Sequence, residues 1–199
     1  MASKRKRKLE KKASRAIDQK MTARRDALNE GLWRYGPPIF VILILLTAIF
    51  FIFIYEPGNP SAEPWNLEEA ETGQMYNSED YYDDGVTLVE FFNSECGHCQ
   101  AQTKPLKEVY ANYSNKIDMF SIGGYKLGSG QDTKSDIASF KFEYTLNWPH
   151  LYDSSGDLMR EYGFSSYPSM ILIKNGEIVY SHSGQLTSEA LSAEIDKYL

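Results

Sequence analysis

Between Tyr35 and Tyr55 the chain runs for 21 residues without a charge, and from Ile39 to Ile54 every residue except Thr47 is apolar. About 20 helical residues, each rising 1.5 Å, cover the ~30 Å hydrocarbon layer of a bilayer. Such a stretch cannot lie on the surface of a water-soluble domain, so it divides the 199-residue chain into a short head and a longer body. Trp33, Tyr35 and Tyr55 bracket it at headgroup depth, and Arg24, Arg25 and Arg34 stand only on its N-terminal side. Residues 35–55 therefore read as one transmembrane signal-anchor helix, with the N-terminus in the cytoplasm and the body outside the cell membrane. A cleaved signal peptide would have a shorter apolar run of roughly 7–15 residues and a small-residue cleavage site. Here Glu56-Pro57-Gly58-Asn59-Pro60 follows instead.

Charge separates the two parts. Residues 1–36 carry a net +8 and the remainder −14. The head, residues 1–34, has Leu9, Ala13, Ile17, Met21, Leu28 and Leu32 near helical spacing, which predicts a basic amphipathic segment on the cytoplasmic side. An N-terminal anchor already requires positive charge beside it, so no nucleic-acid partner is assigned. Residues 56–64 are proline-rich and read as an extended linker. Residues 65–199 form the folded body. Its composition is that of a globular protein, since the whole chain is 42% hydrophobic and 14% aromatic.

The body alternates strand-like and helix-like segments, the pattern of an α/β domain. Val86 to Phe92 is a nearly unbroken apolar run of strand length, as expected for a central strand buried on both faces. A helix is predicted over Gly97 to Tyr113, a strand over Ile117 to Ile122 and a helix over Thr133 to Tyr144. Ser169 to Ile173, the turn residues Asn175-Gly176, and Ile178 to Ser181 spell a hairpin. A last helix over Thr187 to Tyr198 takes Thr187 or Ser188 as its cap.

The chain has two cysteines, Cys96 and Cys99, in the sequence Cys96-Gly97-His98-Cys99. A chain with two cysteines supports neither a multi-disulfide scaffold nor a four-cysteine zinc site. The pair follows the central strand and opens a helix, which places Cys96 over unpaired N–H groups and the positive end of the helix dipole. A thiolate is favoured there. Cys96 is then the attacking sulfur, and Cys99, one turn along, resolves the mixed disulfide. A cationic His98 would further favour the thiolate, whereas the carboxylate of Glu95 opposes it. Glu90, an acid in an apolar strand, is expected to hold its proton unusually well.

These residues resemble the thioredoxin-fold family. Leu88 to Cys99 is similar to the active-site segment of protein disulfide isomerases, and Tyr162 to Gly184 is similar to the C-terminal half of thioredoxin. Trp65-Asn66-Leu67 with the Thr72-Gly73 hairpin, and Trp148-Pro149 to Asp153, resemble membrane-anchored thioredoxins of the TlpA/ResA type. The resemblance covers about two thirds of the chain. It implies a thioredoxin-like mixed sheet flanked by helices, with an N-terminal hairpin and a central insertion. It also implies a thiol:disulfide oxidoreductase that exchanges disulfides with extracytoplasmic protein thiols and with a further redox partner. No cofactor beyond the Cys96–Cys99 pair is implied. By position, Pro168 matches the family's cis-proline, with Tyr167 before it at the client-binding surface, and Glu90 matches the buried proton acceptor for the resolving cysteine. The sequence departs from thioredoxins at Glu95, where tryptophan is usual, at Pro105, one residue later than usual, and at Ser121, near the place of a lysine.

A Sco-type copper chaperone is the alternative on the same fold, with two sulfurs and His182 as Cu(I) ligands. Its usual cysteine spacing is longer than the one here. His150 and His182 read as structural, Asn112-Tyr113-Ser114 as a chance glycosylation sequon, and Gly123-Gly124 and Gly128-Ser129-Gly130 as loops.

Overall fold

The computed structural model describes residues 2–53, 58–82, 85–124 and 130–199. They fall into two compact units, Met1–Gly58 and Asn59–Leu199. In the first, one helix, α1, runs from Ala2 to Phe53 with Pro37 and Pro38 inside it. Neither proline has the N–H that would bond the carbonyl one turn back. Apolar side chains from Ile39 to Leu46, with Ile49 and Phe50, are about half exposed. Among the described residues, no helix is long and apolar enough to cross a membrane. Tyr35, Gly36 and residues 51–55 of the span expected from sequence lie outside the described side chains, as do residues 2–14 of the head.

The second unit contains β1 (Asn66–Glu69), β2 (Met75–Asn77), α2 (Glu79–Tyr82), β3 (Val86–Phe91), α3 (Gly97–Tyr113) and β4 (Ile117–Gly123). Then come α4 (Lys134–Tyr144), β5 (His150–Tyr152), α5 (Leu158–Glu161), β6 (Ser169–Lys174), β7 (Glu177–Ser183) and α6 (Ser188–Ile195). The seven strands form one mixed sheet in the order β2-β1-β5-β4-β3-β6-β7. Strands β3, β4 and β5 are parallel, while β6 runs antiparallel to β3 and β1 antiparallel to β5.

Successive strand residues point to opposite faces, and this splits the core in two. Val86, Leu88 and Phe92 join Met119, Met170 and Leu172 with Leu106 and Val109 of α3 on one face. Val89 and Phe91 join Phe120, Ile122, Ile171 and Ile173 on the other, under an aromatic cover that includes Trp65 and Tyr82. The alternation matters for the site: it puts Glu90 on the face that carries α3. Both faces of β3 are buried, as its unbroken apolar pattern requires.

Local signals set the ends of the elements. Thr133 and Asp136 form a reciprocal capping box at α4, and Thr187 caps α6. Gly123, expected in a loop, is the last residue of β4. Gly124 follows at φ +118°, and a Cβ there would stand 2.2 Å from the Asp153 carbonyl oxygen, so only glycine fits. Gly128 and Ser129 lie outside the described residues. The segment ahead of β1 is docked onto the β6–β7 hairpin. Ile178 donates its N–H to Pro60 O at 2.8 Å, Ala62 donates to Gly176 O at 2.8 Å, and Ser61 forms a bridge with Glu177.

Candidate active site

The turn from β3 into α3 is built by Asn93. Its backbone oxygen accepts from Cys96 N at 3.1 Å, and its side-chain Oδ1 accepts from Glu95 N at 3.1 Å. An asparagine that bonds the backbone two residues ahead mimics a turn and needs no glycine. Asp132 clamps the same turn from outside, accepting from Ser94 N at 3.0 Å and from Ser94 Oγ at 2.6 Å. Burial pushes the Asp132 carboxyl up while these two bonds pull it down.

Cys96 is the N-cap of α3, and its Sγ accepts from Cys99 N at 3.3 Å. A sulfur therefore takes the place that a Ser or Asp oxygen holds at most helix starts. Both cysteines are free thiols, Cys96 half-buried and Cys99 buried. Burial pushes the Cys99 thiol far up, helped by its hydrogen bond to Cys96 and by the nearby charge of Glu90, against a bond from the Asn93 backbone. The two sulfurs are thus unequal in access. Gly97, His98 and Glu95 are exposed around Cys96.

Behind Cys99 lies a short polar chain in an apolar core. Glu90 is 4% exposed. Its Oε2 accepts from Ser121 Oγ at 2.6 Å, and Ser121 Oγ in turn accepts from Trp148 Nε1 at 2.9 Å. Glu90 and Ser121 are register partners on β3 and β4, with Met170 opposite Glu90 on the other side. Burial raises the Glu90 carboxyl to about 7, while the Ser121 bond opposes the rise. A carboxyl of that acidity gains and loses a proton near neutrality.

The Tyr167-Pro168 peptide is cis. Ser169 stands opposite Phe91 in the β3–β6 register, so Pro168 lies at the end of the sheet from which the turn to Cys96 departs. Tyr167 is half-buried and packs against both core clusters. All the residues expected at the site from the sequence therefore gather at one end of the sheet. His150 is buried on β5 opposite Ser121, its Nδ1 donating to Trp148 O at 2.9 Å, and burial lowers its pKa to about 4. His182 stacks on Tyr180. Among the described residues, no group of three or more His, Cys, Asp or Glu side chains is placed to hold a metal ion.

Comparison with known proteins agrees with this geometry. The Redoxin family pattern matches residues 57–199, most of the chain. The protein belongs to the redoxin family. This redoxin is 24% identical over 169 residues to thiol-disulfide oxidoreductase ResA of Bacillus thuringiensis subsp. konkukian, covering 80% of this chain and 93% of that one. It is 27% identical over 107 residues to sporulation thiol-disulfide oxidoreductase A of Bacillus subtilis, covering 53% and 63% of the two chains. Its fold is shared with the exposed lipoprotein thioredoxin Etrx1 of Streptococcus pneumoniae, with a TM-score of 0.59, 23% identity and coverage of 68% and 99%. StoA of Bacillus subtilis superposes with a TM-score of 0.54 at 23% identity, covering 67% and 98%.

Sequence reading missed three members of the site in this redoxin: Asp132, Gln102 and Gln185. Asp132 and Gln185 meet their partners across 38 and 87 residues of chain, with no local pattern to mark them. Gln102 was detectable. It shares the helical stripe of Leu106, Val109 and Tyr113, where a polar residue needs a partner.

Proposed function

We propose that this redoxin is a thiol:disulfide oxidoreductase that works on protein thiols through Cys96 and Cys99. The observation that carries the reading is the asymmetry of the pair: an accessible sulfur at the cap of α3, and a buried one beside a carboxyl of pKa about 7. The ResA and sporulation-enzyme relatives, named for this activity, support it. In the reducing direction, Cys96 Sγ attacks one sulfur of a client disulfide. A bond forms between Cys96 and the client, the client S–S bond breaks, and one client thiolate leaves. Cys99 then gives its proton to Glu90 and attacks Cys96 Sγ. The Cys96–Cys99 bond forms as the second client thiolate leaves, so two electrons pass from this dithiol to the client. The same steps reversed oxidise a client dithiol. Pro168 and Tyr167 border the approach to Cys96, and Gly97, His98 and Glu95 are exposed around it.

The test is equilibration of the full chain in detergent micelles with glutathione. A two-electron couple is expected, and Cys96→Ser should abolish it. A potential near about −120 mV would mark an oxidant and one near about −270 mV a reductant. A wild-type chain that forms no Cys96–Cys99 disulfide at any glutathione ratio would refute the reading. The copper-chaperone alternative gains no support from the site: among the described residues, no group of three or more His, Cys, Asp or Glu side chains is placed to hold a metal ion.

The anchor belongs to the same proposal. The 21 uncharged residues and the basic flank support one span over 35–55, with residues 59–199 on the extracytoplasmic side, where disulfides persist. Protease added to spheroplasts should digest the part beyond Glu56 and spare the head. A protected C-terminal part would overturn that orientation.

A further inference from the structure

Three consecutive residues after β7 stitch the site together. Gly184 donates its N–H to the Pro168 carbonyl oxygen at 2.8 Å, from a φ of +104° that glycine adopts without strain. Gln185 Oε1 lies 3.1 Å from His98 Nδ1. Leu186 is gripped through both backbone groups by the Gln102 amide: its N–H donates to Oε1 at 2.8 Å, and its carbonyl accepts from Nε2 at 3.0 Å. Gln102 is 0% exposed, so breaking this bidentate contact would strand buried polar atoms. His98 and Gln102 are four apart on α3 and therefore neighbours on one face. Gln185 and Leu186 meet them in order. The loop is fixed at Pro168 on one side and at Gln102 on the other, and the side chain between those anchors reaches the ring next to Cys99.

We propose that Gln185 is a positioning residue for the Cys96–Cys99 pair, acting by fixing the ring of His98 and the nitrogen that bears its proton. The proposal rests on the oxidoreductase reading above. An amide oxygen only accepts, so the Nδ1 that faces it carries hydrogen. In the neutral ring Nε2 is then the free lone pair, and in the cation it is the second donor. Because the partner is neutral, it aims the ring without cancelling the positive charge that a protonated His98 brings to the first turn of α3. Freed of Gln185, an exposed imidazole would turn and exchange tautomers. Its charge would no longer be held at a fixed distance from a thiolate on Cys96.

The chain has three histidines, so ring-nitrogen NMR of the full chain in micelles, labelled with 15N-histidine, resolves His98 from His150 and His182. The wild type is expected to show the proton of neutral His98 on Nδ1. Gln185→Leu should move it toward Nε2 and shift the glutathione equilibrium toward the disulfide by about fivefold, the effect of one net hydrogen bond. Gln185→Glu, which keeps an acceptor, should restore the Nδ1 proton. A wild-type proton on Nε2, an unchanged tautomer in Gln185→Leu, or a changed tautomer with an unchanged equilibrium would each overturn the proposal. A wild type that exchanges no disulfide with glutathione would instead refute the oxidoreductase reading, and the ring shifts would still report on the Gln185–His98 contact.

Discussion

Ser121 and Glu90 stand opposite each other on neighbouring parallel strands, and the Ser121 hydroxyl donates to the Glu90 carboxylate at 2.6 Å. That bond holds the Glu90 carboxyl below the value that burial alone would give. Ser121→Ala should therefore raise it above about 7 and move the pH dependence of mixed-disulfide release upward. The same change strands Trp148 Nε1, with a stability loss of about 1–3 kcal/mol by urea denaturation. An unmoved pH profile would detach Ser121 from the proton transfer.

Glu90 itself should bend the stability curve. Its folded pKa is raised from 4.5 to about 7, so the folded state binds the proton more tightly than the unfolded chain. The associated stabilisation is full below pH 4.5 and is lost as pH rises through about 7, amounting to about 3 kcal/mol at most. Glu90→Gln should remove this slope, gain stability relative to wild type at pH 8, and slow release of the mixed disulfide. Release rates equal to wild type from pH 6 to 9 would leave Glu90 only a structural part.

His150 should act with the opposite sign. Its pKa falls from 6.5 to about 4 on folding, chiefly through burial. Its contribution is present above pH 6.5 and is lost as pH falls toward 4, again by about 3 kcal/mol at most. On going from pH 7.5 to 4.5, the urea midpoint should move upward in His150→Asn relative to wild type and downward in Glu90→Gln, because the two contributions oppose each other over this window. If both variants track the wild type, the two buried groups do not set the acid sensitivity of the fold.

The division of labour between the sulfurs predicts that Cys99→Ser accumulates client mixed disulfides through Cys96, while Cys96→Ser accumulates few. Non-reducing gels of acid-quenched cells read this directly. Equal trapping would reverse or dissolve the assignment.

Asp132→Ala should loosen the turn ahead of Cys96, because the Ser94 amide and hydroxyl both lose their acceptor. Amide exchange at Ser94 should accelerate while β3 stays protected. Unchanged exchange at Ser94 would show that Asn93 alone holds the turn.

What was legible in the sequence was local. The apolar run before Cys96 and the helical pattern after it placed β3 and the start of α3 where the structure has them. The Asn175-Gly176 turn marked the β6–β7 hairpin, with Asn175 at φ +51° and Gly176 at φ +74°. The pair Cys96 and Cys99 needed only its spacing. The partners that tune the pair come from register and loop closure: Ser121 faces Glu90 because β3 and β4 align in one register, and Gln185 reaches His98 only once β7 has crossed the sheet. The segment before Trp65 reads as an extended linker by its prolines, and Pro60 and Ala62 spend their backbone groups on the hairpin. Proline content predicts extension and says nothing about what an extended strand will pair with.

The docking of Pro60 to Ala62 fixes where the polypeptide joins the fold. These residues bind at Gly176 to Ile178, beside the turn that pairs with the Val86 end of β3, whereas Cys96 follows the Phe91 end. Six strand residues, about 20 Å, separate the two ends. The sulfurs thus sit at the pole remote from the attachment, like the working tip of a tool gripped by its handle. A load on Pro60 to Ala62 is therefore borne by the backbone hydrogen bonds of the hairpin before it reaches the cysteines.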